Sequence, residues 1–292
     1  MVRKNTKRIM ISFMIPGIAV MITFFMLPVA MTIFYSFTNL SLTGSDAANF
    51  RFIGVENYLK LFKDKEVAAS IGRTLIYTVA SVVGQNVLGF IIAYLMQEKN
   101  RIFRKIFGPV ILSAWVMPEV VGSICAYSVF TDKGTLNVIL QFFGLKKFSW
   151  LYKVPMLVVI IANIWRGSAY SMMVYQAGLD NVPGDVKEAA QIDGAGKLQT
   201  VTRVIIPIIK DTIMTNTMLT TLMTVGGFGL IYIMTGGGPG VMTQTLPILM
   251  YQKAFKNYSL GYGTAISMIL LLLAGVLGLV YVKYAGKDMG DK

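Results

Sequence analysis

Glu188-Ala189-Ala190, three further residues, Gly194, nine more, and then Val204-Ile205-Ile206-Pro207 stand in a short polar segment between two long apolar runs. Alone, Glu-Ala-Ala is a common piece of helix. In this setting it marks a small amphipathic helix that leaves a membrane, turns at a glycine and re-enters through a proline. Asn181 and Pro183 are helix-start residues. Asp185 and Glu188 put negative charge near the N-terminal end, where the helix dipole favours it. Ala189 and Ala190 offer a small, smooth surface that can slide into a groove on a partner. Gly194 permits the turn, and Pro207 shapes the re-entry.

The apolar runs set the class. Apolar residues make up 55% of the chain and charged ones only 14%, with a mean hydropathy of +0.63; a soluble domain carries about 25% charge. Six runs are long enough for a bilayer, which takes about 20 helical residues: roughly 9–37, 74–96, 109–131, 154–178, 208–233 and 262–283. The first follows Arg3, Lys4, Lys7 and Arg8, but it is too long for a secretory core and lacks a small-x-small cleavage site, so it reads as an uncleaved anchor. The expectation is an all-α membrane protein, one domain over 1–292.

The net charge of +13 could suggest nucleic acid. Basic residues flanking the spans explain it better, because they hold loops on the cytoplasmic side. The four N-terminal basic residues, and Lys99, Arg101, Arg104 and Lys105 after span two, put both termini and the Glu188 loop in the cytoplasm. No nucleic acid is expected. One cysteine, Cys125, and no histidine exclude a disulfide framework and a Cys/His metal site.

Between spans one and two, Val55, Tyr58, Leu59 and Phe62 fall on one helical face, predicting a short helix on the outer surface. Prolines 16, 28, 109 and 118 predict kinks, and small residues (Gly84, Gly89, Gly226, Gly227, Gly275, Gly278) predict close helix contacts. Thr235-Gly236-Gly237-Gly238-Pro239-Gly240 cannot be helical. Neither this run nor Gly194-Ala195-Gly196-Lys197 is a phosphate loop: the first lacks Lys-Ser/Thr, and Leu198 stands where the second needs a hydroxyl. The chain is expected to hold no cofactor.

For a solute path, span five offers Asn216, Thr220, Met223, Thr224 and Gly227, the last four at i, i+3, i+4, i+7. Span four offers Asn163, Arg166, Gly167 and Tyr170 at the same spacing. These groups suit a sugar at the midplane; equally, small polar residues glue helices together. Glu119 and Arg166 are charges near mid-span, each costing about 2.5–3.5 kcal/mol on insertion scales. They are expected to face a cavity, where they pair with each other, with a partner, or with solute.

Nearly the whole chain resembles permeases of the carbohydrate-uptake branch of ABC importers, the maltose-type family. The resemblance rests on the Glu-Ala-Ala loop, on Phe-Ile-Gly-Val-Glu-Asn-Tyr at 52–58, and on Ile-Trp-Arg-Gly at 164–167. Asp193-Gly194-Ala195, Gly-Gly-Gly-Pro at 236–239 and Gly261-Tyr262-Gly263 complete it. Val204 and Ile206 depart conservatively from the commoner Ile and Leu, and the large outer insertion of the maltose prototype is missing. The resemblance implies a six-helix type I importer permease in a bacterial plasma membrane. It would pair with a second, homologous permease above two cytoplasmic ATPases, which bind the ATP. An extracytoplasmic binding protein would deliver a sugar or oligosaccharide. Residues 184–196 would be the coupling helix, with Asp185, Glu188, Ala189, Ala190, Asp193, Gly194 and Pro207 at the ATPase contact. Such a subunit does no covalent chemistry. Glycerol 3-phosphate or another polar solute is the alternative cargo, which Arg166 would suit. An ion-gradient transporter is less favoured, because no repeated halves occur.

Overall fold

A computed structural model describes residues 13–290. The basic cluster at 3–8 and the first residues of the predicted anchor lie outside the described residues. The main helices are α1 (Phe13–Ser36), α2 (Glu56–Lys63), α3 (Lys65–Gln97), α4 (Arg101–Val116), α5 (Glu119–Phe130), α6 (Thr135–Phe142), α7 (Pro155–Asp180), α8 (Gly184–Ile192), α9 (Lys210–Val225), α10 (Gly229–Thr235) and α11 (Leu260–Gly290). Among the described residues there is no strand, only an isolated bridge between Thr38 and Phe52. The protein is all-α. Among the described residues, four helices (α1, α3, α7, α11) are long and apolar enough to cross a bilayer, and two bent pairs, each counted as one span, raise the number to six.

Both bends fall inside predicted spans. The run 109–131 is not one helix: α4 stops at Val116 and the following helical stretch leaves at 99°. Pro118 is the cause. It bars a helical conformation at the residue before it, and Met117 is extended at ψ 134. Pro109, by contrast, stays inside α4. The run 208–233 breaks at Gly226–Phe228, where α9 and α10 meet at 48°. At two other prolines the helix continues through the ring itself, although the turn holding Pro207 ends at Ile208, one residue before α9. Each of Pro28 and Pro207 follows a π-helical turn, Ile22–Met26 and Val201–Ile205, in which the ladder widens by one residue. That spares the carbonyl a proline ring would strike.

The chain forms two compact units, 1–68 with 249–271, and 69–248 with 272–292. In the first, the segment after α1 is pinned by Asn57, whose buried amide donates to the Ser36 and Thr38 carbonyls at 2.9 Å each. The Tyr58 and Ser36 hydroxyls share a 2.7 Å hydrogen bond. A Cβ at Gly261 would stand 2.2 Å from the Thr38 carbonyl, so only glycine lets these strands of chain pass. Asp64 accepts the Glu66 N–H at 2.8 Å and the Tyr262 hydroxyl at 2.7 Å, and Lys253 pairs with Glu66 at 2.7 Å. Thus the 52–58 and 261–263 motifs, far apart in sequence, belong to one knot.

The second unit is built on α3 and α7. They approach so closely that a Cβ on Gly89 would meet Ser171 at 2.4 Å. Gly84 is packed as tightly, but Gly275 and Gly278 meet nothing within 4 Å, so the expected helix contact at those two is not made in this chain. Two apolar clusters form the core. One gathers around Tyr77, Val158, Leu230 and Ile248, the other around Met96, Met172, Tyr175 and Leu179. A polar layer separates them, and the candidate site lies there.

Candidate functional site

A cavity of about 240 Å³ opens among α3, α7, α9 and the two helix breaks. Nine of the ten residues singled out from the sequence line it: Glu119, Asn163, Arg166, Gly167, Tyr170, Thr220, Met223, Thr224 and Gly227. The tenth, Asn216, does not. It is fully buried, donating to Asn86 Oδ1 at 2.9 Å and Ser171 Oγ at 3.0 Å. The Tyr175 hydroxyl donates to the same Asn86 oxygen. Asn216 therefore ties α9 to α3 and α7 behind the wall, the helix-joining alternative. Gly167 also differs from its expected use, since a Cβ there would fall 2.2 Å from the Gln85 amide carbon. Its missing side chain makes room for Gln85 rather than for a ligand.

The cavity has one aromatic wall. The Trp115 and Tyr170 rings lie 4.9 Å apart, tilted by 38°. Thr220 and Thr224 also line the cavity; the Thr220 hydroxyl donates to the Asn216 carbonyl at 2.8 Å and accepts from Asn86 Nδ2 at 3.3 Å. Among the described residues that line the cavity, two buried donors have no partner: Asn163 Nδ2 and Arg166 Nε. Unmatched buried donors are costly, about 1–3 kcal/mol each, and here both belong to residues that line the hollow. Ligand acceptor atoms or water would satisfy them.

Glu119 and Arg166 do not pair with each other. Each instead serves a broken helix end. The Leu230 N–H, in the first turn of α10, donates to Glu119 Oε1 at 3.0 Å. Glu119 also opens α5, so its negative charge stands at two helix N-termini, where the dipole favours it. Arg166 Nη2 donates at 3.3 Å to the carbonyl of Met117, the residue that ends α4. A cation at a helix C-terminus is favoured for the converse reason. The two breaks create unsatisfied backbone ends inside the membrane span, and the two charges answer them.

At the far end of α7, α8 runs over Gly184–Ile192, with Pro183 as its N-cap and Asp185 in its first turn. Asn181 is not the helix start; it ends α7. The C-terminus closes as a Schellman turn: Gly194 N–H donates to Gln191 at 3.0 Å and Ala195 N–H to Ala190 at 2.9 Å. Gly194 takes φ +79, the left-handed conformation the turn demands. Asp185, Glu188, Ala189 and Asp193 are exposed, and Glu188 has no hydrogen bond or ion pair among the described residues. Ala190 faces the other way and is buried, so the expected two-alanine surface is a single alanine. The barest apolar groups of this loop are Ile192 and Leu198, 86% and 76% exposed. Pro207 is exposed on the short helical turn before α9.

Sequence reading missed Tyr77, Gln85 and Trp115 on the cavity wall, and Asn86 behind it. The polar pair Gln85-Asn86 in the middle of an apolar run was the available signal. Trp115 carried none, because an aromatic in an apolar helix is ordinary.

Comparison with known proteins bears on this geometry. The sequence model described as "Binding-protein-dependent transport system inner membrane component" matches residues 85–287. The chain is 33% identical to the multiple sugar-binding transport system permease protein MsmF of Streptococcus mutans, over 94% of each chain. It is 30% identical to the probable ABC transporter permease YurN of Bacillus subtilis, over 99% of this chain and 100% of the other. With the trehalose/maltose transport system permease MalF of Thermococcus litoralis it shares 28% identity, over 92% and 90%. Among solved structures, a bacterial ABC transporter that imports the acidic polysaccharide alginate superposes with a TM-score of 0.83 over 98% of both chains, at 19% identity. The methionine transporter MetNI superposes at 0.56 over 80% and 98%, at 15% identity. At these identities the likeness is one of fold.

Proposed function

The chain belongs to the family of binding-protein-dependent transport system inner membrane components, and on that premise we propose that it is the permease subunit of an ATP-driven sugar or oligosaccharide importer. The observation that carries the cargo reading is the cavity. Its lining combines an aromatic pair (Trp115, Tyr170) and threonines (Thr220, Thr224) with the unpartnered donors of Asn163 and Arg166. A sugar ring has apolar faces to lie on aromatic rings and an edge of oxygens to accept hydrogen bonds. Met223 and Gly227 complete the passage wall, and Glu119 holds it open by fixing α10.

The assembly follows from what the chain leaves uncovered. None of the most apolar window of α1 is buried, which suits coverage by a second permease and by lipid. Glu188 without a partner, flanked by bare Ile192, supports docking of α8 into a cytoplasmic ATPase, one of two that hold the ATP. The N-terminal basic cluster supports cytoplasmic termini. A binding protein would bring solute to the opposite face. Arg166 Nε favours a second cargo, an anionic polar solute such as glycerol 3-phosphate.

The test is gentle detergent purification of the tagged chain, with proteins and bound solutes identified by mass spectrometry. A second permease, an ATPase and a retained sugar are expected. A lone chain that transports solute in nucleotide-free vesicles overturns the proposal.

A further inference from the structure

The helix α2 divides into three faces. At 100° per residue, Val55, Leu59 and Phe62 fall within an arc of about 60°. All three are bare, at 57%, 57% and 83% exposure. Asn57 and Leu61 lie on the opposite side and are buried. Glu56, Lys60 and Lys63 lie between these two sides, along one flank, exposed and with Lys60 paired to Glu56 at 3.0 Å. Tyr58, which the sequence places with the apolar stripe, turns inward to its hydrogen bond with Ser36.

A surface helix in water buries its apolar stripe and exposes its polar side. Here the stripe points directly away from the protein, with the charges at right angles to it. Three media would suit the three faces: protein, hydrocarbon and water. The location of α2 fits that order. It is bonded through Tyr58 and Asn57 to Ser36, the last residue of α1. The described part of α1, 24 residues, already rises about 36 Å, against a hydrocarbon core of about 30 Å. Ser36 therefore stands at the membrane boundary, and α2 stands one hydrogen bond from it. Phe52 extends the stripe; its ring stacks on Phe37, 6.2 Å away, and it is 65% exposed.

We propose that α2 is an interfacial anchor: Val55, Leu59 and Phe62 lie in the lipid at the membrane boundary, and Lys60 and Lys63 reach the headgroups and water. Amphipathic helices with aromatic and leucine side chains on one face and lysines on another take this position. The anchor fixes the height of the 36–66 knot relative to the bilayer. The inference needs only that the chain spans a membrane, so it stands or falls apart from the identity of the cargo.

Spin-label accessibility tests it in the full chain reconstituted in lipid bilayers, with Cys125→Ala as background. Labels are placed singly through Leu59→Cys and Phe62→Cys, two exposed positions that do not depend on each other, with Glu56→Cys and Lys60→Cys for comparison. At 59 and 62, collisions with oxygen should exceed those with a water-soluble nickel chelate severalfold, and at 56 and 60 the order should reverse. Higher chelate access at 59 and 62 would put the face in water and overturn the anchor. Exclusion of both reagents there would mean a protein surface covers it, and would overturn it equally.

Discussion

Glu119→Ala probes whether the mid-span carboxylate exists to hold the broken helix. In the native chain the Leu230 N–H donates to Glu119 Oε1 at 3.0 Å, and Leu230 itself is only 3% exposed. Deleting the acceptor strands that amide. Hydrogen bonds to charged groups are worth about 1.5–3 kcal/mol. Glu119 is itself exposed to the cavity, so the lower end, about 1.5 kcal/mol, is appropriate. Glu119→Gln keeps an acceptor and exchanges a charged bond for a neutral one of about 1 kcal/mol, losing only about 0.5. A second handle is Gly229, where a Cβ would stand 2.8 Å from the Glu119 carboxyl carbon. Gly229→Ala should push the carboxylate off Leu230 and cost about as much as Glu119→Ala. In the Glu119→Ala background it should cost almost nothing, because the obstruction is gone. The cycle then gives a coupling of about 1.5 kcal/mol, well above the roughly 0.3–0.5 scatter of independent sites. Thermal unfolding of the purified chain reads it out, as a fall of roughly 3–6 °C for Glu119→Ala. Additive costs, or equal destabilisation by Gln and Ala, would refute the helix-holding role. Normal stability with lost uptake in Glu119→Gln would instead assign the carboxylate to the solute.

Other outcomes follow from the same geometry. Gly194 sits at φ +79, where alanine costs about 1–2 kcal/mol and proline cannot go. Gly194→Pro and Glu188→Ala should each leave membrane insertion intact while cutting solute uptake at least tenfold in vesicles bearing the assembled importer; unchanged uptake would remove α8 from coupling. Thr224→Trp should fill the cavity and abolish uptake with assembly unaltered, as measured by co-purification, and normal uptake would exclude this face from the path. Asp64 gives a pH dependence outside the spans. Burial raises its pKa, but the Tyr262 hydroxyl, the Glu66 amide and Lys253 outweigh burial and bring it below its ordinary 3.8. A depressed carboxylate stabilises the knot above the unfolded pKa, and that stability fades as pH falls through the folded value. Tyr262→Phe should therefore lower the knot's stability at neutral pH and shrink the part lost on acidification, read by hydrogen exchange of residues 36–66 across pH, and an unchanged acid-dependent loss would deny the contact.

Much of the fold was legible in the chain because membranes impose a simple code. A span must be apolar for about 20 residues, and the loop 179–207 announced itself as a polar interval with helix, glycine and proline in order. The i, i+3, i+4, i+7 spacing correctly gathered Thr220, Met223, Thr224 and Gly227 on one cavity wall, because periodicity fixes which side chains of one helix share a face. Asn216, one turn below and outside that spacing, is a candidate only as a polar residue of the span, and it lies behind the wall. Whether a polar residue meets solute or a neighbouring helix depends on what stands opposite, and Asn86 stands opposite.

The sequence by itself determined that the chain is all-helical and membrane-spanning, where the soluble loop lies, and which two helix faces carry polar groups. Those follow from composition and local periodicity, which act within one helix. Tertiary structure alone decided that Pro118 turns the third apolar run by 99° while Pro109 and Pro28 do not break theirs. It decided that Glu119 and Arg166 answer two broken helix ends rather than each other, that Gln85 occupies the space beside Gly167, and that the apolar side of α2 faces out. Each of these is a contact between groups distant in sequence, set by how close two backbones come and which unsatisfied amide or carbonyl they leave. No local pattern encodes that distance.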